Sequence, residues 1–377
     1  MAGSAWTLQP VSKAIPTLYG VGIHISSTFF EKQNYLTKTL KGCIIIATEP
    51  TTPMSIFDSY AQPGGTFYFT EELEMRSYEK RILTISEQIS ELKSAKMIIE
   101  SDDDAAKFLS RVEYYRFRGY SFQFYNNSKR EYKENTKFSD IVAICEFDAE
   151  LSHLLFAMLS SIEVSLRSRL VDALLTYKED TLILYDPAVF DDKKNYWSNN
   201  GSLSQEIARS SDVFIKHNFD KHDGNIPVWA AVEIMSFGTL SKTIKNLKTG
   251  SGSAYSNLAE YYKYPTASGN TARPAKKLLA SWIQACVILR NICAHNSRIY
   301  NRTLNTVPEL LATDRLTPSP KYNGIYQTIL AMKYLRPSDE QWSDFANQLT
   351  SLISRYSAVI EMGRLNFPQD WHDHFVI

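Results

Sequence analysis

Cysteine is scarce in this chain: four in 377 residues, Cys43, Cys145, Cys286 and Cys293, with no C-x-x-C pair among them. Neither a zinc site nor a disulfide framework is therefore indicated, and a reducing, cytoplasmic setting fits best. Charge of one sign is also missing, since 41 basic and 41 acidic side chains cancel. No whole-molecule field gathers nucleic acid, so any RNA site has to be a local patch. Long apolar runs are absent from the first third, where the longest is Cys43–Ala47, and no membrane segment is expected. The opening residues lack a basic start followed by an apolar stretch, so no secretory leader is expected either. There is no H-E-x-x-H helix and no acidic trio of two-metal character, because Asp102, Asp103 and Asp104 read as charge at a helix start. We expect no metal and no cofactor. No repeat of fixed period supports a solenoid.

What is present is a normal globular share of apolar residues, 44 %, with 22 Tyr and 19 Phe that suit helix packing or base stacking equally. Residues 1–78 carry Pro10, Pro16, Pro50, Pro53, Pro63 and the β-branched run Ile44-Ile45-Ile46. Such punctuation opposes long helices and predicts an irregular or short-stranded N-terminal extension. Residues 79–377 predict a mainly all-α domain of about seven or eight helices. Thr84-Ile85-Ser86-Glu87 is a capping box. Ser101 caps a helix that is expected to run on into Tyr114–Tyr120 and to stop at Gly119. From Ser139, residues Leu151, Leu154, Leu155, Met158, Leu159, Ile162, Leu166 and Leu170 keep an apolar stripe over many turns, the mark of a core helix. Pro227 starts a helix through Leu240, Pro274 one through His295, and Pro337 one that reaches about Met362.

The chemistry lies in Leu289-Arg290-Asn291-Ile292-Cys293-Ala294-His295, where a cation and an imidazole stand five residues apart near the end of an apolar helix. Five helical steps separate the two side chains by about 140°, so they share a flank and not a stripe. Spacing alone also fits an exposed Arg and an unremarkable helix-end His. The pair nevertheless suffices for RNA. The ribose 2′-OH can attack its own neighbouring phosphate if a proton carrier and a fixed cation are at hand. Histidine is the residue type for the first and arginine, with its planar fork, for the second.

At this motif the sequence resembles the bacterial abortive-infection Abi-like family (the AbiD/AbiF type). The resemblance rests on ordered blocks: Ile85–Met97, Tyr114–Tyr120, Ile162–Arg167, Pro227–Leu240, Arg290–Arg302 and Phe367–Trp371. It implies a HEPN-like helical bundle with additional helices, and a toxin-like endoribonuclease in phage defence. Two R-x-x-x-x-H helices would face each other across a dimer. With one copy of the motif in this chain, a homodimer would supply the second. The resemblance also implies RNA as substrate and a small RNA as antitoxin. Arg290, His295 and Asn291 take the catalytic positions, Asn291 as an orienting group. The alternative is a non-catalytic RNA-binding HEPN protein.

Further candidates extend the site. Arg298 and Arg302 are expected to continue the motif helix as a cationic strip toward RNA backbone, or else to form a solvated face. Tyr115, Arg116 and Arg118 form an aromatic-basic cluster that could stack on and pair with nucleotides, although tyrosine packing is the plainer use. Glu163 and Arg167 predict an intrahelical pair. His153 is expected to be buried. His372 and His374 lack visible metal partners.

Overall fold

The computed structural model describes residues 81–266, 268–315 and 323–375, so the N-terminal extension lies outside the described residues. Twelve α-helices run through the described residues, with four two-residue strands paired as two antiparallel hairpins. The mainly all-α expectation is met. Helix α1 (Ile85–Ser94) begins at the anticipated capping box: the Glu87 amide donates to Thr84 Oγ1 at 3.3 Å and the Thr84 amide to Glu87 Oε2 at 2.8 Å. Helix α2 (Asp102–Leu109) is capped by Ser101 and packs on α1. It does not run on as expected. A break at Ser110–Glu113 separates it from α3 (Tyr114–Ser121), and Gly119 lies inside α3. The Glu113 carboxylate caps the new helix by accepting from the Arg116 amide, an N-terminus the chain pattern hides because Glu is an infrequent cap.

The hairpin β1 (Tyr125–Asn126) and β2 (Glu131–Tyr132) leads into α4 (Phe138–Tyr177), a helix of 40 residues and so about 60 Å long. Its apolar stripe makes it the axis of the domain, and Leu151, Leu155, Leu159, Ile162, Leu166 and Leu170 are all fully buried. Seven later or neighbouring helices pack on it: α3, α7 (Val228–Ile234), α8 (Phe237–Lys245), α9 (Ala254–Glu260), α10 (Lys276–Ala294), α11 (Tyr326–Leu335) and α12 (Asp339–Arg355). Helices α5 (Lys193–Arg209) and α6 (Val213–Lys221) lie between, with α5 packed on α7 and α8.

The single helix expected from Pro227 to Leu240 is two. Met235 leaves the helical region, and Ser236 starts α8 by accepting from the Thr239 amide at 3.2 Å. The last helix stops at Arg355, short of Met362, and the block Phe367–Trp371 folds back as an aromatic plug. There Phe367 and Trp371 are buried against Tyr326 and Phe375. Helix α10 is long and apolar enough to cross a membrane by length and composition alone. Its apolar face is spent inside the protein, on α4, α8 and α11.

Truncating the axis should be costly in proportion to the space it leaves. Leu166→Ala, at a fully buried position, is expected to lose about 2–5 kcal/mol, read as a lower midpoint in urea denaturation.

Candidate functional site

Helix α10 buries Leu279, Trp282, Ile283, Cys286, Leu289, Ile292 and Cys293, which recur at three- and four-residue intervals, and this fixes its rotation about its axis. Arg290 is thereby left half-buried at the edge of the packed face, and Asn291 and His295 are exposed. The helix then stops by a Schellman turn. The Asn296 amide donates to the Cys293 carbonyl and the Ser297 amide to the Ile292 carbonyl, both at 2.9 Å, with Asn296 at φ 49°. Asparagine tolerates that left-handed conformation, and His295 becomes the last residue of the helix end. Arg298 and Arg302 therefore do not continue the motif helix as expected. They lie in the loop beyond it.

At one end of the motif, α4 holds the cation. Glu163 Oε2 accepts from Arg290 Nη2 at 3.0 Å and Glu163 Oε1 from Arg167 Nη2 at 2.6 Å, so one carboxylate joins two guanidinium groups. Arg290 Nη1 donates to Asn291 Oδ1 at 3.1 Å, and its guanidinium lies 5.5 Å from the centre of the Phe237 ring. Phe237 is placed there by the Ser236 break between α7 and α8. Arg167 Nη2 also donates to the Met235 carbonyl at that break, at 2.9 Å. The expected Glu163–Arg167 pair exists, but its third member was not foreseen.

At the other end, α4 holds the loop. The buried Asp148 carboxylate accepts from the Ile299 amide at 3.1 Å, the Tyr300 amide at 2.6 Å and the Tyr120 hydroxyl at 2.6 Å. Burial lifts this carboxyl above the usual range, and the three donors pull it back. Each of its hydrogen-bond partners is a donor, which is the environment an ionised carboxylate needs. Tyr120 is itself pushed up by burial and by Asp148, so it stays a donor. Helix α3 adds two staples: Arg116 Nη1 donates to the Asn296 carbonyl, and Arg298 Nη1 to the Gly119 carbonyl at 2.9 Å.

The other anticipated residues fall into place around this frame. Tyr115 is 82 % exposed on the first turn of α3, and Arg116 is exposed despite its bond to Asn296. Arg118 turns instead to the β1–β2 hairpin, donating to the Tyr132 hydroxyl at 2.6 Å and lying 4.8 Å from the Tyr125 ring centre. Arg302 is half-buried and donates to the Arg298 carbonyl at 3.3 Å. His153 is exposed, not buried, because it falls opposite the packed stripe of α4. His374 Nδ1 pairs with the Tyr326 hydroxyl at 2.6 Å. A cysteine nucleophile beside the motif is unsuited, since burial pushes the Cys293 thiol up to about 11. Among the described residues no group of three or more His, Cys, Asp or Glu is arranged to hold a metal ion. A surface cleft of about 370 Å³ between α5 and α6, lined by Tyr185, Ile207, Phe219 and Ile226, contains none of the motif residues.

The family model described as Abi-like protein matches residues 107–301, over half of the chain. That span takes in Asp148, Glu163, Arg167, Arg290, Asn291, His295 and Arg298, while Arg302 and the blocks at Ile85–Met97 and Phe367–Trp371 lie outside it. Neither a curated protein nor a solved structure matches the chain.

Asp148→Asn keeps the shape but turns an amide N–H₂ toward donors. It should cost about 2–4 kcal/mol, measured as a lower denaturation midpoint, and should raise hydrogen exchange at the Ile299 and Tyr300 amides before the rest of the domain.

Proposed function

Because the chain belongs to the Abi-like protein family, we propose that it is a cytoplasmic endoribonuclease of abortive-infection phage defence, with its active site at Arg290–His295. The observation that carries this reading is the treatment of Arg290. A guanidinium is held by Glu163 and Asn291 at the edge of α10, and the next exposed titratable side chain of that helix is His295 at its end. A fixed cation and an exposed imidazole on one short segment are two of the parts that transesterification of RNA uses.

In the proposed reaction the 2′-oxygen forms a bond to the adjacent phosphorus as the bond from phosphorus to the 5′-oxygen breaks. His295 takes the 2′-OH proton or hands a proton to the departing 5′-oxygen. Arg290 offsets the charge that builds on the phosphoryl oxygens, already oriented and so with little reorganisation. The products are a 2′,3′-cyclic phosphate and a 5′-OH, and no metal enters the scheme. One imidazole cannot serve as base and acid at once. A homodimer of HEPN type would bring the second Arg and His, and this fits the His295 ring, which makes no hydrogen bond among the described residues. A small RNA antitoxin belongs to the same proposal, with Tyr115 and Arg116 as exposed groups suited to stacking and phosphate contact.

That unpartnered ring also favours a second reading, an RNA-binding protein without catalysis, since a general base is commonly oriented by a further group. The two separate in one assay. Purified protein is incubated with RNA in EDTA, and ends are mapped for cyclic phosphate. Wild type is expected to cleave, and His295→Ala and Arg290→Ala to lose on the order of a hundredfold or more. Equal cleavage by all three proteins sinks the nuclease assignment. Salt-sensitive binding without cleaved ends selects the binding protein.

A further inference from the structure

We infer that Arg167 is a second phosphate-binding group of the motif site, carried by α4 and held beside Arg290 by Glu163. The inference rests on the proposal that RNA is the ligand, though not on its being cleaved.

The first argument is charge. Arginine is always protonated in proteins, so Arg167, Arg290 and Glu163 together leave one uncompensated positive charge. A phosphodiester carries one negative charge. The cluster is partly enclosed, with side-chain exposures of 17 %, 24 % and 12 % for Arg167, Arg290 and Glu163. A staple between α4 and α10 needs one cation and one anion, as an extra charge in an enclosed place is a cost unless something uses it. A monoanion with several acceptor oxygens would use it.

The second argument is the count of donors. Arg167 gives both of its observed hydrogen bonds, to Glu163 and to the Met235 carbonyl, from Nη2 alone. Its Nη1 makes no hydrogen bond among the described residues, and the Nε atoms of Arg167 and Arg290 are buried without protein partners. Arg290 likewise spends only Nη1 and Nη2. The Nε groups point inward, so Arg167 Nη1, beside an Arg290 guanidinium that shares its carboxylate, is the unused donor left for phosphate oxygens. Glu163 keeps the two from repelling each other apart, and so acts as a positioning residue.

The test measures affinity and its salt dependence with a short, fully 2′-O-methylated oligoribonucleotide, which binds but cannot be cut. Full-length wild type, R167M and R167K are compared, with melting temperatures as a check on folding. R167M is expected to bind more weakly and to lower the slope of log affinity against log salt by about 0.7, one contact's share for single strands. R167K keeps the charge without the fork, so it should retain the slope and lose affinity severalfold. It also carries the test if R167M fails to fold. Wild-type slope and affinity in R167M, or wild-type affinity in R167K, overturn the inference while leaving the nuclease proposal standing. Binding changes as expected, together with no cleavage of unmodified RNA by wild type, would sink the nuclease proposal and leave this inference intact. Absence of salt-dependent binding by wild type overturns the inference, and absence of cleavage of unmodified RNA besides overturns both.

Discussion

Two carboxylates buried along one helix are the constraint on which the motif's geometry depends. Asp148 and Glu163 both lie on the packed side of α4, fifteen residues and so about 22 Å apart along its axis. They grip the chain on either side of His295: Glu163 takes Arg290 before it, and Asp148 takes the amides of Ile299 and Tyr300 after it. The lower-numbered carboxylate meets the higher-numbered partner, so α10 and its following loop run opposite to α4. The segment from Arg290 to Tyr300 is bracketed at both ends by a single rigid element.

Burying a carboxylate is expensive unless it is paired, so each of these positions commits its surroundings to supply donors. At Asp148 the supply is backbone amides and a tyrosine hydroxyl, and the result is a fixed loop path. At Glu163 the supply is two guanidiniums, and the result is a fixed cation. The same helix uses one device for two purposes, shape at one end and electrostatics at the other. Helix α3 reinforces the first through Arg116 and Arg298, which exchange side-chain bonds with each other's backbone neighbourhoods. Those arginines thus hold the loop first, and only the exposed remainder of Arg116 stays available to a ligand.

Much of this was legible in the sequence, and the rest failed for identifiable reasons. The α4 stripe, the capping box at Thr84 and the start of α10 after Pro274 follow from periodicity and cap chemistry, and the structure has them. The break at Met235-Ser236 and the Glu113 cap of α3 were missed because apolar spacing continues across both, while the interruption is a local side-chain hydrogen bond. The end of α10 at His295 is legible, but the placement of Arg298 and Arg302 on a continuing helix fails for a related reason. Asn296 signals a left-handed turn more weakly than glycine, and the basic residues beyond it mimic a continuing helical face. A usable signal did exist for the clamps. Asp148 falls among Ile144, Phe147 and Leu151, and Glu163 among Leu159, Ile162 and Leu166, so a carboxylate on an apolar stripe announces a buried partner. Who that partner is depends on tertiary packing, which one helix's pattern does not contain.

The two motif side chains are held to different degrees, and on the nuclease proposal that difference has a chemical sense. Charge stabilisation is most effective when the cation is already in place, because reorienting a dipole or charge during the reaction spends part of the gain. Arg290 meets that condition through Glu163, Asn291 and Phe237. A proton carrier has the opposite need, since it must present its ring to one oxygen and then release the proton elsewhere. His295 is fixed through its backbone, as the end residue of a Schellman turn, while its ring projects from an exposed position. The fold therefore sets where the imidazole is attached, and leaves its final orientation to whatever closes over α10. A bound RNA strand alone would orient one ring. A second copy of the helix would orient two, and would bring the acid that a single imidazole cannot supply while it acts as base.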